Sequence, residues 1–169
     1  MPSSSAPDPM RDIWEVPAGG LDAESWRNRI VVGVDGSFGA DRALRWAAKQ
    51  AADDGAVLDV VSVWEDLGEQ APALPALDDD RRRIAGERLQ RALETFVRCR
   101  ERPEHVITAP LHGPPGEQLV ERARDARLLV LGTTGISSPE IPGGIGLYCI
   151  RRSVTPVVFV PDGFVPGAA

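Results

Sequence analysis

The chain alternates between short, dense apolar runs and longer segments whose apolar residues recur every three or four positions. Ile30, Val31, Val32 and Val34 form the first run. A run that is apolar at nearly every position marks a strand buried on both faces, as in a parallel sheet. Asp35-Gly36-Ser37-Phe38-Gly39 reads as a turn. Ala43, Leu44, Trp46, Ala47, Ala48, Ala51 and Ala52 then recur at helical spacing. Asp53-Asp54-Gly55 closes that helix, with Gly55 placed as its C′ glycine. Leu58, Val60, Val61 and Val63 make a second strand, and 65–77, with Pro72 and Pro75, reads as a loop. A long helix is expected over 78–100, with Ile84, Ala85, Leu89, Ala92, Leu93, Phe96 and Val97 on one stripe. A third strand at 105–109, a loop at 110–115 and a short helix at 116–126 follow. Leu128-Leu129-Val130-Leu131 is a fourth buried strand, 132–143 a loop, 144–153 a last helix, and 156–161 a fifth strand.

Strand–helix alternation of this kind builds a parallel sheet with helices on both faces, and right-handed crossovers leave only a few doubly wound topologies. Ligands of such sheets sit at the carboxyl ends of the strands, near the point where strand order reverses. The residues that follow strands one, two and four are therefore the first places to look for chemistry. Residues 1–28 carry Pro2, Pro7, Pro9, Pro17 and Gly19-Gly20 and no clear period. They read as a flexible tail that lays Trp14 or Trp26 on the domain surface. The expected division is tail 1–28, domain 29–161 and a C-terminal tail 162–169.

The net charge of −6 argues against a nucleic-acid binder and against anionic membranes. No apolar run approaches the roughly 18 residues of a membrane span, and the opening residues hold no apolar signal core. The expected location is the cytoplasm. Cys99 and Cys149 are the only cysteines and read as idle thiols; with His105 and His112 they make no cluster at metal-ligand spacing. No metal site is expected. No Ser/His/Asp or Cys/His constellation stands out either, so no catalytic residue is named. Asp78-Asp79-Asp80 followed by Arg81-Arg82-Arg83 reads as a solvated helix start whose acids suit the dipole.

Two segments carry ligand-binding potential. Asp35-Gly36-Ser37 follows strand one, where a tight turn caps the next helix. Gly132-Thr133-Thr134-Gly135 follows strand four, and Gly143-Gly144 stands before the last helix. Glycines there permit close backbone approach and leave amides open to an anion, and a helix start favours phosphate. The loop is not a Walker A loop, since no Gly-Lys-Ser/Thr follows.

Ile30-Val31-Val32-Gly33-Val34-Asp35-Gly36-Ser37 at one end resembles the opening of the universal stress protein family. Leu129-Val130-Leu131-Gly132-Thr133-Thr134-Gly135, Gly143-Gly144 and Thr155-Pro156-Val157-Val158-Phe159-Val160-Pro161 resemble its last third. The resemblance covers 29–161. It implies a five-stranded α/β fold of the adenine-nucleotide α-hydrolase-like type with strand order 3-2-1-4-5. It also implies a homodimer paired through the last strand, Val157 to Val160. One branch of the family binds ATP, with magnesium, through Gly-x2-Gly-x9-Gly-Ser/Thr. By that resemblance the nucleotide contacts would be Gly33, Asp35, Val63, Leu131, Gly132, Gly135, Gly143, Gly144 and Ile145, with Val63 against the adenine. The second half of the signature departs from the pattern. Only seven residues separate Gly135 from Gly143, where the family has nine, and Gly144 stands where the family has a hydroxyl residue. Two functions follow as expectations. One is a nucleotide-binding stress domain with at most weak ATPase activity. The other is an interaction module that keeps the fold and dimer but has lost the pocket.

Overall fold

Five strands form one all-parallel sheet in the order β3-β2-β1-β4-β5, flanked by helices on both faces. The computed structural model describes residues 20–65, 75–97, 102–133 and 144–164, with the backbone alone at 75–78 and 96–97. In chain order the elements are α1 (Ala23–Arg27), β1 (Arg29–Gly33), α2 (Phe38–Asp54), β2 (Val57–Trp64) and α3 (Pro75–Val97). β3 (Val106–His112), α4 (Pro115–Ala123), β4 (Leu128–Gly132), α5 (Gly144–Arg152) and β5 (Val157–Val160) complete the fold. The expected strand order is the observed one.

The sheet divides the core into two layers. Ile30, Val32, Leu58, Val60 and Val130 pack on one side with Ala43, Leu44, Ala47 and Ala51 of α2 and Leu89 and Ala92 of α3. Val31, Val61, Leu129 and Leu131 pack on the other with Leu119 and Ala123 of α4 and Cys149 of α5. Alternate residues of a strand face opposite sides, so every apolar residue of β1 and β4 finds a layer to enter. That is why these strands read as continuous apolar runs. The small residues of α2 let its axis lie close to β1 and β4. Ser37 caps α2 by accepting from the Ala40 amide at 3.1 Å, and Gly55 ends it at φ +61°, a conformation glycine adopts without penalty.

Local structure departs from the sequence expectation in several places, among them α4, which runs Pro115–Ala123 rather than 116–126. Residues 23–27 form α1, capped by Asp22, whose Oδ1 accepts from the Ser25 amide at 2.7 Å. α3 starts at Pro75, three residues early, because proline is well suited to a first helical turn. β3 continues through Pro110 to His112. It is one of the two edge strands, where proline's missing donor can face away from the ladder. Ile84, expected on the buried stripe of α3, is exposed. The stripe that packs is Ala85, Leu89, Ala92 and Leu93, and Ile84 lies a hundred degrees off it by the helical period.

Candidate functional site at the carboxyl rim of the sheet

β1 and β4 are neighbours, yet their exits lead to opposite faces. β1 runs into α2 on one side, and β4 precedes α5 on the other. This is the reversal point at which open α/β sheets carry ligands. Gly33 lies at the end of β1 and Asp35 just past it, Val63 near the end of β2 and Leu131 and Gly132 at the end of β4, while Gly144 and Ile145 open α5; Gly135 and Gly143 lie outside the described residues.

The roles of these residues are unequal. Val34 donates its amide to Val61 O at 2.8 Å, which carries β1 along β2 to the rim. Asp35 is half-buried, and its Oδ1 accepts from the Ser37 amide at 2.9 Å. That bond shapes an Asx turn. Gly36 inside the turn sits at φ +84°, where a side chain would be strained. Gly33, Val63 and Leu131 all belong to the α4 face. A Cβ on Gly33 would stand 3.0 Å from Leu131 Cδ2 and 3.2 Å from Leu119 Cδ2, so these leucines close the sheet beneath the rim on that side. Leu131 is buried and Val63 half-buried against the same cluster; both serve the core.

Gly132 has a different reason to be glycine. A Cβ there would lie 2.5 Å from the carbonyl carbon of Gly39 and 2.6 Å from its oxygen. The close approach expected for a ligand is made by the first turn of α2. Thr133 then ties the β4 exit to β5, its amide donating to Val160 O at 3.2 Å. Gly144 and Ile145 open α5 and are exposed, and among the described residues nothing lies within 4 Å of a Cβ built on Gly144. None of the described residues fills the space at the start of α5.

At the β2 and β3 ends, Trp64 and His112 are register partners with ring centroids 4.2 Å apart. Sequence reasoning had no pairing to offer for either. The signal was their positions one strand apart, which only the register reveals.

A second polar cluster lies under α4. Asp59, fully buried in β2, accepts from Arg122 Nε at 2.8 Å and Nη2 at 3.2 Å, and Arg29 Nε lies 3.1 Å from its Oδ2. Arg29 donates through Nη2 to Arg122 O at 2.7 Å and through Nη1 to Trp26 O, and the Trp26 ring covers its guanidinium at 3.8 Å. Burial pushes the Asp59 carboxyl above its usual range, with Arg122 and Arg29 pulling it back. Burial also lowers the Arg29 guanidinium. Trp26, Arg29, Gln118, Arg122 and Asp125 border a cavity of about 290 Å³. Cys149 is buried without polar company, and its thiol is pushed up to about 11. It is therefore a poor nucleophile.

The fold is that of a doubly wound α/β domain with its reversal crevice between β1 and β4. Residues 27–161 match the model of the universal stress protein family, and the chain belongs to that family. A universal stress protein of Mycobacterium tuberculosis is 34% identical over 131 residues, covering 76% of this chain and 46% of that protein. The chain thus spans about half the length of that curated relative. Two solved structures are also similar. A universal stress protein in complex with cAMP has 29% identity and a TM-score of 0.55, covering 78% of this chain and 95% of that one. The Archaeoglobus fulgidus universal stress protein in complex with dAMP has 26% identity and a TM-score of 0.59, with the same two coverages. Among the described residues, no helix is long and apolar enough to cross a membrane.

Proposed function

We propose that this chain is a cytoplasmic universal stress domain that binds an adenine nucleotide across the crevice between the β1 and β4 exits. The observation that carries the reading is the Asp35-Gly36-Ser37 turn at the β1 exit, with the exposed start of α5 at Gly144 following the β4 exit in the chain. The relatives solved with cAMP and dAMP support it. The base lies over Gly33, Asp35 and Val63. The phosphates lie at Gly132, Gly135, Gly143, Gly144 and Ile145, where amides at the start of α5 meet the anion. ATP with magnesium is one form of the ligand. Residues 29–161 are the working domain, and 1–28 and 162–169 its flanks. Occupancy acts as a signal by shifting an assembly equilibrium, which requires the nucleotide to bind the two states differently.

Gly144→Ser tests the phosphate end of this reading. No described residue lies within 4 Å of the carbon that the serine adds. The new hydroxyl supplies a hydrogen bond to a charged group, and ATP affinity in a calorimetric titration rises about tenfold. Unchanged affinity would put the phosphates elsewhere. Wild type and variant both silent at millimolar ATP would favour the nucleotide-free interaction module.

The proposed assembly is a homodimer through Val157 to Val160. β5 is the other edge strand, and its first three residues are only half-buried. Leu147, Ile150 and Val154, on α5 and the turn into β5, are exposed as well. An uncovered apolar edge of this kind invites pairing. Light scattering of the full chain is expected to give twice the chain mass; a monomer at working concentration would contradict it.

A further inference from the structure

α3 carries several arginines, and their surroundings differ. Arg81 donates to Glu65 O at 2.6 Å, just past the end of β2. Arg83 is held between Asp80 and Glu87. Arg88 is half-buried and makes no hydrogen bond or ion pair with any described residue. Its stem lies across the turn after β1. A Cβ on Gly36 would stand 3.7 Å from Arg88 Cγ and 3.8 Å from its Nε. Because Gly36 has no side chain, the space beside its backbone is left to the arginine stem, next in the chain to Asp35. A flexible cation that is half-buried without a partner gives up hydration and side-chain freedom. A ligand that meets it at this place repays that loss.

We infer that Arg88 is a base-recognition residue of the crevice, its planar guanidinium stacking on the purine of the bound nucleotide. The inference rests on the nucleotide reading given above and deepens it. In that reading the base occupies the Gly33–Asp35–Val63 end and the phosphates the α5 end. α3 packs on the α2 side of the sheet and α5 on the other. Arg88 flanks Gly36, next to Asp35, which puts it at the base end of the ligand in that reading. Leu119 and Leu131 close the α4 side beneath Gly33, so a base over the β1 exit has one face left for a flat cation. Guanidinium groups stack on aromatic faces in this way, and lysine, a compact point charge, does not replace them.

The test is titration of the full-length chain with adenosine, AMP and ATP, in wild type, Arg88→Ala, Arg88→Lys and Arg91→Ala. Arg91 is exposed, lies one turn farther along α3 and reports on charge alone. Arg88→Ala is expected to weaken all three ligands by a common factor of about 5 to 30. Arg88→Lys should recover little of that loss, and Arg91→Ala should leave the affinities unchanged. Loss confined to AMP and ATP would make Arg88 a phosphate contact and overturn the inference. Unchanged affinity for all three in Arg88→Ala would overturn it while leaving nucleotide binding intact. Failure of wild type to bind any of the three would instead remove the nucleotide reading, and the inference with it.

Discussion

Gly132→Ala is expected to lower the unfolding free energy by about 2–3 kcal/mol. The added carbon would stand 2.5 Å from the Gly39 carbonyl carbon, 2.6 Å from its oxygen and 3.0 Å from the Ala40 amide nitrogen. All three are backbone atoms, so no rotamer change can relieve the contact. Either α2 moves off β4 or the β4 exit bends. Both movements disturb the crevice, so nucleotide affinity should fall along with stability. Gly144→Ala provides the contrast, because no described residue lies within 4 Å of its added carbon. Its stability should change by less than about 0.5 kcal/mol. Denaturant unfolding of the two variants checks the pair. Equal, small effects would mean that α2 does not press on β4 as described.

The second large effect concerns the ion cluster under α4, where the two signs of charge are unequally placed. Asp59 is fully buried, whereas Arg122 reaches solvent with about a quarter of its side chain. Arg29 has two carbonyl partners besides the carboxylate. The carboxylate therefore depends on the arginines more than they depend on it. Arg122→Ala removes the two-pronged contact and is expected to lower stability by about 3 kcal/mol at neutral pH. Asp59→Asn removes only the charge and should change it by less than about 1 kcal/mol. The pH dependence follows from the raised Asp59 carboxyl. The folded chain holds this proton more tightly than the unfolded one. The contribution is fully present below the ordinary value of 3.8 and is lost as pH rises through the raised folded value. The stability of wild type relative to Asp59→Asn should thus fall as pH climbs from about 4 toward neutrality. A difference that grows with pH would mean that the arginines more than compensate for burial.

Much of the fold was legible because its strands are buried on both faces and its helices on one. Apolar runs at 30–34, 58–63 and 128–131 have no other comfortable place in a sheet with helices on both faces, and the glycine at 55 ended a helix as expected. The edges were less legible. Pro110 reads as a break, but an edge strand tolerates it; Pro75 reads as loop, but a first helical turn accepts it. The candidate site was legible only as positions. Asp35 and Gly132 were singled out, yet the structure gives Asp35 a turn to shape and Gly132 a helix to admit. The triad of Arg29, Asp59 and Arg122 was missed because its members come from three elements far apart in the chain. An aspartate inside the apolar run of β2 was the available signal, since a carboxylate there needs cations delivered to it. Arg88 was invisible for a similar reason, because only the packing of α3 brings it over Gly36.

The most direct test of nucleotide binding at the rim is an amide chemical-shift map of the full chain on addition of AMP. The account predicts shifts concentrated at 33–37, 63–64, 131–133 and 144–145. No shifts at millimolar AMP, or shifts gathered instead around Trp26, Gln118 and Arg122 at the cavity under α4, would contradict it.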